Sequence, residues 1–273
     1  MGGEEVLINN IYTFSSSNKL NKFRGNREKT VEKVSTGKRI NRAADDAAGL
    51  TISESFKAQV RGLSQAERNI QDGISLLQVV DGALDDITTN LHRIREISVY
   101  SANGTLSEED RQALNEELKA IKESINTIVE NTEFNQIKVL KDDRSITIQT
   151  KDRPYTTMEL KLYNVDINSL GLENADLSTQ ESSGNTISYA KNALEKINEI
   201  RVENGVNYNN LKHALMNTSN SNLNITSSLS VISDINMVTS LMNIVKTDVL
   251  TNYTEFMYNN TKGNIESIKN LIV

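Results

Sequence analysis

Residues 63–98 read LSQAERNIQDGISLLQVVDGALDDITTNLHRIREIS. Counting in alternating steps of three and four from Leu63 through Ala66, Ile70, Gly73, Leu77, Val80, Leu84, Ile87, Leu91 and Ile94 to Ser98, nine of the eleven positions are apolar. Only Gly73 and Ser98 interrupt the stripe. That period belongs to an α-helix, and a seam so narrow asks for a partner helix instead of a broad globular core. At the helical rise the stretch is a rod about 54 Å long. A second series runs through Ile187, Ala190, Leu194, Ile197, Arg201, Asn204, Tyr208, Leu211, Leu215, Thr218, Asn222, Ile225, Leu229 and Ile232, and is apolar at ten of fourteen positions. Two long seams toward opposite ends of one chain predict that the ends pair.

Between the rods, Asn103-Gly104-Thr105-Leu106-Ser107-Glu108-Glu109-Asp110 reads as a turn and a helix start, with Ser107 as N-cap and Asp110 in the capping-box position. Leu114, Leu118, Ile121, Ile125 and Ile128 give that helix an apolar face to lay antiparallel on the first rod. After Phe134 the period changes to two: Ile146 and Ile148 alternate in one stretch, Met158, Leu160 and Leu162 in the next, with Lys151-Asp152-Arg153-Pro154 between them. This is a β-hairpin signal. Residues 173–186 are polar, and Ser182-Ser183-Gly184-Asn185 predicts a loop leading to the returning helix. Beyond Ile232 the seam slips register and continues as Ile235, Val238, Met242, Val245, Val249 and Phe256. With 18 Asn between positions 185 and 273, a residue that forms helix interiors poorly, the last helix needs partner contacts to persist. The expected fold class is mainly α, with long antiparallel helices forming a coiled-coil bundle and one small β-hairpin.

Composition narrows the chemistry. One proline in 273 residues favours long helices. The absence of cysteine removes disulfides, thiolate metal sites and cysteine nucleophiles together. His92 and His213 are the two histidines, and the chain has no H-E-x-x-H zinc site, no G-x-S-x-G elbow and no P-loop. No catalytic residue, metal site, cofactor or enzymatic activity is expected; His92 reads as a surface residue and His213 as a packing or hydrogen-bonding one. No stretch reaches the roughly 18 continuous apolar residues of a membrane span, and Met1 to Asn10 lacks the basic and apolar regions of a signal peptide. Net charge is -6, yet residues 1–42 carry nine Lys and Arg against four Asp and Glu. This arm suits an acidic protein surface; with few aromatics it lacks the stacking platform of a nucleic-acid binder. Periodicity alone also leaves a free coiled-coil adaptor open.

Residues 35–50, Ser35-Thr36-Gly37-Lys38-Arg39-Ile40-Asn41-Arg42-Ala43-Ala44-Asp45-Asp46-Ala47-Ala48-Gly49-Leu50, closely resemble the N-terminal signature of bacterial flagellin. The likeness continues through Gln59-Val60-Arg61-Gly62-Leu63, Asn69-Ile70-Gln71-Asp72-Gly73-Ile74-Ser75, Asp81-Gly82-Ala83-Leu84 and Ser101-Ala102-Asn103-Gly104 to Thr132-Glu133-Phe134-Asn135, so that nearly all of residues 6–140 is covered. Ser169-Leu170-Gly171-Leu172 and Asn209, Leu211 and His213 also look flagellin-like. The first five residues and Ile265 to Val273 depart from the family's pattern.

The resemblance implies a structural subunit that polymerises with copies of itself into the flagellar filament, its terminal helices paired in the filament. It also implies export by the flagellar type III route without a cleaved signal peptide, and an extracellular flagellum as the destination. Hook-associated and cap proteins, and an export chaperone on the C-terminal segment, are the implied partners; nucleic acid and membrane are not. A hook–filament junction protein is the alternative, and Arg42-Ala43-Ala44-Asp45-Asp46-Ala47-Ala48-Gly49 favours the filament subunit, because junction proteins tend to carry a proline-containing version. Larger flagellins place a variable outer domain between hairpin and returning helix, where this chain has residues 173–186, so it resembles a minimal flagellin. The implied division is a filament-core helix at 1–42, a shaft over 43–140 with a hairpin region at 141–172, a short loop at 173–186, the returning shaft helix at 187–218 and a second core helix at 219–273.

By the same resemblance, Arg39, Asn41, Arg42, Asp45, Asp46 and Gly49 form an assembly signature, in which small side chains let helices approach and the charges set register. Arg93, Ile97 and Glu117 fall at positions where flagellins meet the innate Toll-like receptor, as a charged donor, an apolar contact and an acceptor on the neighbouring helix. The sparse N-terminal and Asn-rich C-terminal segments are expected to be disordered in the monomer and to fold on assembly, while residues 43–215 stay folded.

Overall fold

The structure, a computed structural model, describes the backbone of residues 2–272 and the side chains of residues 14–260, 262 and 263. In chain order it runs α1 (Gly2–Thr36), α2 (Ala47–Ser101), α3 (Glu108–Asn131), β1 (Glu133–Phe134), β2 (Ile137–Lys138), β3 (Arg144–Gln149), β4 (Thr157–Leu162), α4 (Gln180–Ser233) and α5 (Met237–Ile272). The mainly helical class read from the sequence holds. Two compact units form, one from Met1–Ala58 with Asn224–Val273 and the other from Gln59–Leu223. The second unit begins at Gln59, later than the shaft expected at residue 43, because residues 47–58 of α2, about three turns, belong with the terminal unit, where Gly49 lies against Ile40.

The unit Gln59–Leu223 is organised by the α2 seam. All eleven seam positions from Leu63 to Ser98 are buried, the two interruptions included. Ser98 is accommodated because its hydroxyl donates to Ile94 O at 2.6 Å. Gly73 leaves a slot for the hairpin: a Cβ added there would stand 2.2 Å from Ile148 Cδ1. Leu76, Ala83 and Ile97 are buried beside the seam, so the face is wider than a two-per-heptad stripe and serves a packed core that also takes in Leu160, Leu162 and Leu172. Burial of each large side chain such as Leu84, Ile87 or Leu91 contributes about 1.5–3 kcal/mol.

Helix α3 starts as expected. Asp110 N donates to Ser107 Oγ at 3.2 Å and Ser107 N to Asp110 Oδ2 at 3.3 Å, a reciprocal capping box. Its face ends on fully buried Val129, with Ile128 half-buried, because a 3.6-residue period drifts off a strict heptad count. The expected hairpin is β3–β4, which sets Ile146 opposite Leu160 and Ile148 opposite Met158. A second, shorter antiparallel pair, β1–β2, forms a separate two-stranded sheet. Its turn passes through Asn135 and Gln136 at φ 50 and 64, the left-handed pair of a type I′ turn. Two-residue strands carry too little alternation to be read beforehand.

The loop expected at 173–186 is shorter, because α4 starts at Gln180 and Ser182-Ser183-Gly184-Asn185 is helical. Ser182 N donates to Thr179 Oγ1 at 3.1 Å and Thr179 N to Ser182 Oγ at 3.0 Å, so these residues cap the helix. Ser183 and Thr186 are fully buried and donate to Thr179 O and Ser182 O at 2.7 and 2.9 Å. The hydroxyls that suggested a loop are spent on the helix's first turns. Upstream, Leu177 is fully buried, its N–H donating to Asn115 Oδ1 at 3.3 Å and its carbonyl accepting from Ser101 Oγ at 3.0 Å. Lys122 Nζ donates to Ala175 O at 2.7 Å, and burial lowers its pKa.

None of the fourteen α4 seam positions is exposed. The polar ones in this unit make cross-element bonds: Asn204 Nδ2 donates to Leu77 O at 3.0 Å, Thr218 Oγ1 to Thr150 O at 3.1 Å, Asn222 Nδ2 to Ser64 Oγ at 3.1 Å, and Arg201 meets Asp81 and Asp85, while the buried Asn222 Oδ1 has no hydrogen-bond partner among the described residues. These bonds hold α4 in one register against α2 and the hairpin. His92 is exposed, as its surface reading has it; His213, read as a packing or hydrogen-bonding residue, is exposed too, so packing is not its role.

In the terminal unit α1 packs on α5. Arg24 Nη2 meets Glu255 Oε1 at 3.4 Å and Arg27 Nε meets Asp248 Oδ1 at 2.5 Å, a link between the basic arm and carboxylates of the last helix. The face of α5 turned inward differs from the expected one. Val238, Met242, Val245, Val249 and Phe256 are 60–68% exposed, whereas Ser240 and Thr254 are buried and Ile244, Thr251 and Tyr258 half-buried. Thr251 and Thr254 donate to Thr247 O and Leu250 O at 2.7 and 2.6 Å, which satisfies their hydroxyls and lets a Ser/Thr face be covered. The departures from the family pattern in the first five and last nine residues, and the outermost part of the expected order–disorder transition, lie outside the residues whose side chains are described.

Candidate assembly site

The breaks between α1 and α2 and between α4 and α5 meet within the terminal unit. Gly37 ends α1 at φ 69, the left-handed conformation in which a helix commonly stops. Lys38 and Asp234 then form an antiparallel bridge, flanked by Arg39 N donating to Ser233 O at 2.7 Å and Ile235 N to Gly37 O at 3.0 Å. The Arg39 guanidinium donates through Nε and Nη2 to Ile232 O at 3.1 and 2.8 Å. Carbonyls in the last turn of a helix have no partner within it, and a cation is favoured there. Asn236 opens α5 by accepting from Thr239 N at 3.2 Å. The register slip noted after Ile232 is therefore a helix break held shut by the first half of the chain.

Asn41, Arg42, Asp45, Asp46 and Gly49 build the opposite side of the clasp. Asn41 Nδ2 donates to Thr36 Oγ1 at 2.8 Å, and the Asn41 and Arg42 amides both donate to Asp45 Oδ2 at 3.2 Å. Lys33 Nζ reaches Asp45 Oδ1 at 3.1 Å, and that hydrogen bond, followed by those of the two amides, holds the carboxyl below the usual carboxylate range. Arg42 Nη2 pairs with Glu32 Oε1 at 2.8 Å. Asp46 is the N-cap of α2, its Oδ1 accepting from Gly49 N at 2.9 Å. A Cβ on Gly49 would stand 2.4 Å from Asp46 Oδ2 and 2.7 Å from the buried Ile40 Cδ1, so only glycine fits beneath this cap.

Two features of the sequence reading are corrected. The run Ala43 to Gly49 is not one close-packing helix: residues 38–46 are non-helical and Ala43 and Ala44 are exposed. Asp45 and Asp46 bind backbone amides, and side chains of this kind compete with helix formation and favour turns and caps. Gly37 and Asp46 carried legible C-terminal and N-cap signals; the contributions of Ile232 and Ser233 are backbone carbonyls and leave no residue-type signal.

The implied receptor residues lie in the other unit. Arg93 Nε donates to Glu117 Oε1 at 2.7 Å and Nη1 to Glu96 Oε2 at 3.1 Å, so the α2 and α3 charges pair with each other and raise the arginine's pKa. Ile97 does not join them on the surface. It is 2% exposed, because it extends the buried face of α2, and the exposed apolar side chains nearby are Val99 and Tyr100.

Among the described residues no group of side chains is arranged to hold a metal ion, and no helix is long and apolar enough to cross a membrane. The family model for the bacterial flagellin N-terminal helical region matches residues 8–145. The chain is 38% identical to the flagellin of Halalkalibacterium halodurans over 233 residues, 84% of this chain and 86% of that one. It is 39% identical to the phase 1 flagellin of Salmonella naestved over 169 residues, 62% of this chain and 34% of that one. Among solved structures, the crystal structure of Bacillus cereus flagellin matches with a TM-score of 0.52 at 32% identity, over 55% of this chain and 88% of that one. A putative flagellar hook-associated protein from Vibrio parahaemolyticus reaches 0.59 at 17% identity, over 69% of this chain and 99% of that one, which is a likeness of fold alone. With half of the chain inside the family's helical region and a flagellin relative matched along most of its length, the chain belongs to the flagellin family, the structural subunits of the bacterial flagellar filament.

Proposed function

We propose that this flagellin joins its neighbours through the outward apolar stripe of α5, with the clasp around Arg39, Asp45, Asp46 and Gly49 setting the geometry of the terminal helices. The observation that supports this is the orientation of α5: Val238, Met242, Val245, Val249 and Phe256 face solvent in the isolated chain. An apolar surface of that length calls for a partner. In a homopolymer the partner is another copy, and a heterologous contact that does not close into a ring builds a helical filament. The test is seeded polymerisation of Val245→Glu and Val249→Glu proteins whose helicity matches wild type. Elongation at the wild-type rate would sink the reading.

The finer partners rest on the family likeness. An export chaperone on residues 219–273, hook-associated and cap proteins at the filament ends, and passage through the flagellar type III route are proposals of this kind. A receptor contact at Arg93 and Glu117 is a further one, with Ile97 supporting the core beneath instead of touching the receptor. Equal receptor activation by wild type and Arg93→Ala would remove it. The hook–filament junction alternative is the weaker reading, and subunit abundance in sheared flagella separates the two.

A further inference from the structure

The chain contains two Asn-Gly dipeptides, Asn103-Gly104 and Asn204-Gly205, and the fold treats them in opposite ways. Glycine has no Cβ, so the nitrogen that follows asparagine approaches the Asn side-chain carbonyl with little hindrance. Asn103 and Gly104 are both exposed, in the turn between α2 and α3. Thr105 N donates to Asn103 Oδ1 at 3.3 Å, which folds the side chain back along the following backbone and polarises its carbonyl. The Gly104 N–H makes no hydrogen bond among the described residues. Beneath the turn lies Arg111, 7% exposed, whose guanidinium donates to Ser101 O and, at 2.8 Å, to Asn103 O, and forms no ion pair among the described residues. Asn204 lies instead within α4, 8% exposed, its Nδ2 donating to Leu77 O at 3.0 Å. The next N–H belongs to the helix's own hydrogen-bond ladder.

We propose that Asn103-Gly104 is a site of spontaneous deamidation through a succinimide, and that Asn204-Gly205 is shielded from the same reaction. The Gly104 nitrogen bonds to Asn103 Cγ and gives up its proton, while the Cγ–Nδ2 bond breaks and the amide leaves as ammonia. Water then opens the ring. Attack at Cγ gives aspartate, and attack at the main-chain carbonyl gives isoaspartate, with an extra methylene in the backbone. Either product places a negative charge on the residue whose carbonyl is already held by a buried cation. The modification thus acts on the clamp that shapes this turn.

The experiment is peptide mapping by mass spectrometry of full-length protein aged at mildly alkaline pH, native and in denaturant, with chromatographic separation of the aspartate and isoaspartate isomers. In the native protein the residue 103 peptide is expected to show the mass gain of an amide-to-acid exchange in both isomers. Conversion at Asn204 is expected to be at least about tenfold slower, because α4 must open first, and in denaturant the two sites should converge. Gly104→Ala is the second variant. A Cβ there meets nothing within 4 Å, so the turn is kept while the nitrogen's approach is hindered, and conversion at 103 should fall about tenfold or more. Equal native rates at the two sites, a native Asn103 that stays amidated while the denatured chain converts, or aspartate without isoaspartate would each overturn the proposal.

Discussion

Replacing Gly73 with alanine sets helix propensity against packing. On propensity alone the added methyl stabilises the interior of α2 by about 1 kcal/mol. Its Cβ, however, would stand 2.2 Å from Ile148 Cδ1 and 3.2 Å from Leu211 Cδ1, well inside the optimal carbon–carbon separation of about 3.5–4.0 Å. Ile148 is 8% exposed and Leu211 is fully buried, so neither swings into solvent to make room. Overpacking of this kind costs about 1–3 kcal/mol. Packing therefore wins, with a net destabilisation of up to about 2 kcal/mol. Ile148→Val removes the obstructing carbon and by itself costs about 0.5–1.5 kcal/mol. In the double variant the alanine methyl fills the vacated volume and the helix gain is kept, so its stability is expected within about 1 kcal/mol of wild type, with a favourable coupling of about 1–2 kcal/mol. Chemical denaturation of the four full-length proteins, followed by far-UV circular dichroism, measures the cycle. Additive changes, or a Gly73→Ala protein more stable than wild type, would refute the reasoning.

Removal of the α2 cap by Asp46→Ala should cost about 1 kcal/mol, seen as faster amide exchange in the first turn of α2, with Asp46→Asn retaining most of the protection. The Tyr163 hydroxyl donates to Glu203, which pushes its pKa up to about 12. Because the folded value lies above the ordinary one near 10, the stability from this bond is complete below about pH 10 and is lost as pH rises through about 12; Tyr163→Phe should flatten that alkaline limb of the stability profile. Asp45 is held below the carboxylate range, so its contribution is complete above the ordinary pKa of about 3.9 and is lost as pH falls through the lower folded value. Lys33→Met should move its titration, read by NMR, upward. Limited proteolysis is expected to trim both ends of the dilute monomer and leave a helical fragment unable to extend filament seeds; a trimmed fragment that still elongates them would dissociate assembly from the terminal helices.

The long seam of α2, the capping box at Ser107 and Asp110 and the Ile146/Ile148 hairpin were legible because each depends on residues close in sequence. A helical or strand period records the chain's own geometry and survives any tertiary arrangement. Even the polar entries in the α4 seam, Asn204, Thr218 and Asn222, stood at positions that the fold turns inward, although their acceptors on α2 and the hairpin became visible only in three dimensions. The assembly signature was legible as a set of residues and illegible as a mechanism. Asp45 and Asp46 bind backbone amides, and Arg39 binds the carbonyl of Ile232, a residue 193 positions away.

From the sequence alone came the mainly helical class, the antiparallel return and the absence of cysteine chemistry, all of them consequences of period and composition. Tertiary structure decided which faces meet. An apolar stripe states that a surface requires cover and leaves open what supplies it, so the stripe that continues the seam past Ile232 proved to face outward on α5, and Ile97, read as a receptor contact, proved to be core. Burial is a property of the whole packed arrangement and not of the residue: Thr254 is covered because its hydroxyl bonds to Leu250 O and α1 packs on α5, while Val245 and Phe256 stay exposed.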